Sequence, residues 1–202
     1  MKPRPHFEIE SGLRAGGVWP IAGVDEVGRG PLAGPVAAAA VILDPLRLPE
    51  GVDDSKALSA RARETAFEAI MASALAVGVA FVPAAEIDAT DIRKAALAAM
   101  SRAVAGLALP PAYALVDGRD LPALPCEGRA IVKGDTTSLS IAAAAIVAKV
   151  ARDRMMRRLA ALYPQYGFET NAGYGSRRHL EALEAFGPSP LHRMSFKPLR
   201  EG

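Results

Sequence analysis

Ile21-Ala22-Gly23-Val24-Asp25-Glu26-Val27-Gly28-Arg29-Gly30 is the stretch on which the reading of this chain turns. Two adjacent carboxylates lie inside an apolar run with the character of a strand, and they lead straight into an arginine flanked by glycines. A half-buried strand holds ionised side chains only if something offsets several kcal/mol of desolvation per ion, and a divalent cation does this well. Neither cap nor turn chemistry accounts for Asp25, which sits between Val24 and a second acid. The backbone that follows is bare enough to approach a large anionic ligand.

Outward from this stretch, residues 18–26 and 35–43 read as strands that are apolar on both faces. A Gly/Pro turn region joins them, which favours an antiparallel hairpin covered by helices. Ser59 reads as the N-cap of a helix over 60–75, and 77–82 as a third strand ended by Pro83. A helix over 91–105 is closed by Gly106, with Pro110 and Pro111 beyond it. Short strands at 113–116 and 130–132 each run into a loop bearing an aspartate, Asp117-Gly118 and Gly134-Asp135. Helices over 136–162 and 176–186 follow, then a proline-bearing tail. Three strands and then helix-separated strands predict an α/β fold with a mixed sheet, an antiparallel meander extended by parallel units.

In such a sheet the strand ends converge on one edge, so Asp25, Glu26, Asp117 and Asp135 are expected in one crevice. With no His or Cys to match, an all-oxygen donor set selects Mg²⁺ or Mn²⁺ over zinc. Two of the four keep a plainer alternative: Asp117 before Gly118 can open a turn, and Asp135 before Thr136 and Thr137 can cap the long helix. Asp53, Asp54, Glu86 and Asp88 are expected to be solvated.

The 202 residues are 50% hydrophobic, enough for one well-buried core and one globular domain. Net charge is only +2, but residues 147–200 carry ten Lys/Arg against four Asp/Glu, while 1–146 carry 14 against 17. That split suggests an anionic partner held by the C-terminal part and processed at an acidic centre. A solvated basic helix face is the alternative: Lys149, Asp153 and Arg157 have the spacing of an ion-pair ladder. Arg177 and Arg178, close to Gly173-Tyr174-Gly175, are the better phosphate candidates, and Tyr174 is either a stacking platform or packed core. His179 and His192 read as structural. A lone cysteine, Cys126, forms no internal disulfide and suits a reducing compartment. The opening residues lack the pattern of a signal peptide, and no apolar run is long enough to span a bilayer. A soluble, cytoplasmic monomer with no membrane contact is expected.

Gly23-Val24-Asp25-Glu26-Val27-Gly28-Arg29-Gly30-Pro31-Leu32-Ala33-Gly34 resembles the signature opening of the bacterial ribonuclease HII family. The resemblance continues in family order through Asp54-Ser55-Lys56, Val116-Asp117-Gly118, Val132-Lys133-Gly134-Asp135, Ile146-Val147-Ala148-Lys149-Val150 with Arg152-Asp153, Tyr163-Pro164-Gln165-Tyr166-Gly167-Phe168, Gly173-Tyr174-Gly175, and His192-Arg193 with Ser195-Phe196. It implies an RNase H-like fold, a mixed five-stranded sheet flanked by helices, with residues from about 164 to 202 as a C-terminal helical, substrate-binding extension. It also implies hydrolysis of the RNA strand of RNA–DNA hybrids and cutting at ribonucleotides embedded in duplex DNA, with Mn²⁺ or Mg²⁺ as cofactor.

Carried over by position, Asp25, Glu26, Asp117 and Asp135 would be the metal-centre carboxylates. Gly28, Arg29 and Gly30 would read the ribose 2′-hydroxyl, Tyr174 would stack on the following sugar, and Lys56, Lys149 and Arg152 would touch the nucleic-acid backbone. Ala145 and Ala151 depart from the Ser and Thr of the family pattern. Related ribonucleases HIII carry an extra N-terminal domain, for which the stretch ahead of Asp25 is too short. Two other classes fit parts of the pattern, a non-catalytic hybrid-binding protein and a phosphohydrolase of small molecules. The basic C-terminal quarter favours a polymeric substrate.

Overall fold

A computed structural model describes residues 4–201; residues 1–3 and 202, within the expected single domain, lie outside the described residues. Five strands, β1 (Ile21–Val27), β2 (Val36–Ile42), β3 (Ala76–Val82), β4 (Tyr113–Asp117) and β5 (Glu127–Ile131), form one sheet in the order β3-β2-β1-β4-β5. β1 with β2 and β2 with β3 are antiparallel, whereas β1 with β4 and β4 with β5 are parallel. The expected mixed sheet is therefore present. The helices are α1 (Glu8–Ala15), α2 (Ala60–Ser73), α3 (Ala84–Ala89), α4 (Ile92–Ala105), α5 (Leu139–Leu162), α6 (Phe168–Asn171) and α7 (Arg177–Phe186).

The alternation of β2 shows why its sequence is apolar throughout. Ala38, Ala40 and Ile42 pack towards α4, and Ala39 and Val41 towards α2 and α5, so a helical layer covers each face. Small side chains keep these layers close. At Gly23 of β1, an added Cβ would lie 2.0 Å from the Ser140 carbonyl carbon of α5, so the helix backbone rests on the strand itself. A third cluster, built from Met156 and Ala160 of α5 with Tyr166, Phe168 and Ala182, ties the segment after α5 to Ala33.

Several boundaries differ from the sequence reading. β1 begins at Ile21 rather than 18: Pro20 has no N–H to give to the ladder, although its carbonyl accepts from Ala112 and Tyr113 N–H. β5 begins at Glu127, three residues early, as an edge strand with alternating exposure rather than an apolar run. α5 begins at Leu139: Ser138 is its N-cap, its hydroxyl accepting from Ile141 N–H, and residues 134–136 form a 3₁₀ turn. The capping alternative for Asp135 is thereby removed. Ser59 and Ser176 cap α2 and α7 as expected.

α1 was not foreseen. It carries a fully buried glutamate, Glu10, whose Oε1 accepts from the Ser138 hydroxyl (2.6 Å) and the Ser140 N–H (2.9 Å) at the positive end of α5. Asp88, expected in solvent, accepts from the N–H groups of Met194 and Ser195 and from the Ser195 hydroxyl, anchoring the tail. Glu86 also has a partner, Arg102, at 2.6 Å.

Candidate active site

β1, β4 and β5 are neighbouring parallel strands, and each delivers an aspartate at its carboxyl end. Asp25 lies one residue past the Val24–Val116 rung, which brings it level with Asp117, and Asp117 pairs across to Ile131. Asp135 follows one turn later, with Lys133 in the left-handed region at φ 57° to turn the chain back. Asp117 Oδ1 accepts the Gly134 N–H at 2.6 Å, which fixes that turn against β4. Asp25 and Asp135 are each only 7% exposed, too little for water alone to solvate them.

The electrostatics follow from this packing. Burial, and then the neighbouring charges of Glu26, Asp117 and Asp135, push the Asp25 carboxyl well above its usual range. Burial also raises Glu26, with Asp117 adding and Arg29 opposing. Asp117 is raised by burial and by Asp135. Two cations stand at the rim: Lys56 Nζ is 3.6 Å from Asp135 Oδ2, and Arg29 Nη1 is 3.4 Å from Glu26 Oε1. Burial works against the Lys56 ammonium, but Asp135 and then Asp25 outweigh it and hold its pKa above the usual value.

An all-oxygen set of mutually repelling carboxylates has the chemistry of a hard divalent-cation site. As the side chains stand, no three acidic, His or Cys groups among the described residues form a ready cage. Asp25 Oδ1 is turned onto the Glu26 N–H at 2.7 Å, and Asp117 and Asp135 are engaged with Gly134 and Lys56. Rotation off such a partner gives up one hydrogen bond, roughly 0.5–1.5 kcal/mol, which is small beside the repulsion a cation would relieve.

Beside the acids, the 28–35 loop meets the 172–175 loop. The Gly173 carbonyl accepts from Leu32 and Ala33 N–H at 2.8 and 3.2 Å, and a Cβ on Gly30 would stand 3.5 Å from Tyr174 Cε1. Tyr174 is 47% exposed, so its ring lies at the surface next to Gly30 rather than in the core. Arg193, for which the sequence suggested no role, is fully buried and donates to the carbonyls of Gly28 (2.7 Å), Arg29 (2.9 Å) and Gly34 (3.0 Å).

Other expected contacts lie elsewhere. Arg152 is not on a surface: it is fully buried, with its donors on the carbonyls of Pro35, Ala172 and Ala33, so the expected contact with the nucleic-acid backbone is corrected. It falls on the buried stripe Ala148, Arg152, Met156, Ala160 at intervals of four, a signal that could have revealed this. Lys149 is paired with Asp153 at 2.7 Å, the first step of the ladder alternative, but Arg157 reaches Glu64 of α2 at 3.4 Å instead of continuing the ladder. Arg177 and Arg178 are exposed, each paired to a glutamate, Glu181 and Glu169.

The two histidines are buried together under Tyr174. His179 Nδ1 faces the Tyr174 carbonyl at 2.8 Å and must donate to it, so its Nε2 accepts from His192 Nε2 at 3.0 Å. His192 Nδ1 in turn accepts the Ser189 N–H at 2.9 Å. The tautomers are assigned from these partners, and both rings are neutral. Burial and the nearby His179 lower the His192 pKa to about 4. An unfolded histidine titrates near 6.5, so the stabilising neutral form is intact above that pH and is lost as pH falls towards 4, about 3 kcal/mol at most. Urea unfolding from pH 7.5 to 4.5 is expected to show this loss in the wild type and much less of it in His192→Gln; equal pH slopes would remove the assignment.

A family model for ribonuclease HII matches residues 22–199, nearly the whole chain. The chain belongs to the ribonuclease HII family. Ribonuclease HII of Rhizobium etli (strain CIAT 652) is 58% identical over 198 residues, covering 98% of this chain and 86% of that protein. Among solved structures, the ribonuclease H2 of Pyrococcus horikoshii OT3 superposes with a TM-score of 0.75 at 27% identity, covering 90% of this chain and 95% of the other. The fold alone is shared with Bst-RNase HIII in complex with Mn²⁺, at TM-score 0.68 and 20% identity over 90% of this chain and 68% of that one. The sheet and its flanking helices are therefore RNase H-like. As a ribonuclease HII the protein is a divalent-metal-dependent endonuclease, a hydrolase acting on the RNA strand of RNA–DNA hybrids. Among the described residues no helix is long and apolar enough to cross a membrane.

Proposed function

We propose that Asp25, Glu26, Asp117 and Asp135 hold divalent cations, Mg²⁺ or Mn²⁺, for two-metal-ion phosphodiester hydrolysis, and that the protein also cuts duplex DNA at single embedded ribonucleotides. The reading rests on one observation: three neighbouring parallel strands and the turn after the last of them bring Asp25, Asp117 and Asp135 to one end of the sheet, with an exposed tyrosine and a bare glycine on the adjoining loops. Bound ions would supply Lewis acidity, lowering the pKa of the attacking water and neutralising charge on the leaving 3′-oxygen.

The chain's own residues orient that chemistry. The carboxylates would fix the ions, and Lys56, an exposed cation 3.6 Å from Asp135, would meet a backbone phosphate. With the Gly28, Arg29 and Gly34 carbonyls turned inward onto Arg193, the outer side of the 28–30 backbone is left to meet a ribose 2′-hydroxyl, the group that separates RNA from DNA. The Tyr174 ring would stack on the adjoining sugar. Residues from about 164 onward form the substrate-binding extension, with Arg177 and Arg178 as its cationic surface and Lys149 as a further backbone contact. The free Cys126 suits a reducing compartment, and a cytoplasmic monomer is the proposed form.

The experiment is a mapped cut on a DNA duplex carrying one ribonucleotide, with Mg²⁺, with Mn²⁺ and with a chelator. A single cut at the ribonucleotide, lost on chelation, is expected. Cleavage without metal, or cleavage only of long hybrids, would refute the corresponding half of the reading.

A further inference from the structure

We infer that Arg152 is a positioning residue for sugar discrimination: one buried guanidinium spans the 28–35 and 172–175 loops and sets the gap between Gly30 and Tyr174. The inference rests on the reading that these two residues contact the sugars at the cleavage site. Arg152 Nε donates to Pro35 O at 2.9 Å and Nη2 to Ala33 O at 3.3 Å, both in the first loop, while Nη1 donates to Ala172 O at 2.9 Å in the second. None of these partners is a carboxylate. A cation buried against peptide carbonyls alone is a costly way to fill space, since an apolar side chain of like volume would pack there without desolvating a charge. What the guanidinium adds is geometry: a rigid planar fork whose donors point in fixed directions, each onto a different carbonyl.

The surroundings restrict the loops to that spacing. The Gly173 carbonyl ties the loops together on one side through Leu32 and Ala33, and Arg152 ties them on the other. Beneath the first loop, a Cβ on Gly28 would sit 2.2 Å from Arg152 Nε, so the guanidinium also supports the start of the Gly-Arg-Gly segment. From the far side, Asn171 Oδ1 accepts the Gly173 N–H at 2.8 Å and its Nδ2 donates to Tyr166 O at 2.7 Å. The front of this assembly is the 3.5 Å approach of Tyr174 Cε1 to the Cβ position of Gly30. A lysine keeps the charge but has no fork, and reaches at most part of the three-carbonyl set.

The test compares kcat and KM of the full chain and Arg152→Lys on two substrates, a DNA duplex with one ribonucleotide and a continuous RNA–DNA hybrid. The junction substrate is expected to lose about tenfold more kcat than the hybrid, a fraction of the ~10²-fold that a 1 Å misplacement can cost. KM should change little on either. If Arg152 acts through Tyr174, the substrate preference of Tyr174→Ala should not shift further when Arg152→Lys is added, a non-additivity that general loosening of the fold does not produce. Should Arg152→Lys fail to give a cooperative melt, Asn171→Ala, which frees the same loop from its other side, must move the preference in the same direction. Equal losses on both substrates, an unchanged preference, or additivity with Tyr174→Ala overturns the inference. A wild-type chain that fails to cut at the single ribonucleotide overturns the parent reading and this inference with it, whereas wild-type cutting with an unchanged preference in the variants overturns the inference alone.

Discussion

Asp25→Asn is expected to lower cleavage of any ribonucleotide-containing substrate about a thousandfold, because losing roughly 4 kcal/mol of transition-state charge stabilisation corresponds to three factors of ten. The same variant should melt higher than the wild type in the absence of metal. Asp25 is buried among Glu26, Asp117 and Asp135, and its carboxyl is pushed up by burial first and by those charges second. The amide removes the charge while its oxygen can still accept the Glu26 N–H now held at 2.7 Å. The gain should be about 1 kcal/mol or more at neutral pH, and added metal should stabilise the wild type far more than the variant. Paired thermal melts and single-turnover cleavage check both halves. Turnover at the wild-type rate would end the assignment of Asp25 to a metal centre.

The second large effect separates two glycines that the sequence presents as equivalent. Gly28 has φ +91° and lies against Arg152, so Gly28→Ala is strained whatever its function and should cost about 1–3 kcal/mol of stability. Gly30 is outside the left-handed region, and its added methyl would meet only Tyr174 Cε1, at an ordinary 3.5 Å. Gly30→Ala should therefore melt within about 0.5 kcal/mol of the wild type. If the bare Cα exists to admit a sugar, cleavage at a single embedded ribonucleotide should nonetheless fall by about 10²-fold, with metal binding by calorimetry unchanged. Full activity in Gly30→Ala would mean that the sugar does not approach that atom.

β1 to β4 were legible because they are apolar runs punctuated by Gly and Pro, whereas only the last residues of β5 were, since Glu127 and Arg129 break its apolar character. The carboxylates of the site came from the same signal, charge where burial was expected. What was hidden is charge whose hydrogen bonds go to backbone and hydroxyl groups of distant segments. Glu10 sits in a broken opening stretch that gives no sign of burial, yet it is fully buried on the first turn of α5. Arg152 reads as part of a basic surface, Arg193 carries no reading of its own, and Asp88, which is only half-buried, reads as a solvated loop acid, because carbonyl and N–H partners brought by distant segments leave no local trace in composition. Ser138 rather than Asp135 caps α5, a difference of one turn that local cap chemistry alone could not decide.

Arg193 also has a bearing on the order in which the enzyme is made. It grips the Gly28 carbonyl across 165 residues of sequence. At a translation rate of about 5–20 residues per second, that separation is an interval of about 8 to 33 s between synthesis of the loop and synthesis of its clasp. The hairpin that carries Asp25 and Glu26 can be in place well before the 28–34 loop acquires its final backing, so the shape of that loop is among the last features the nascent protein gains.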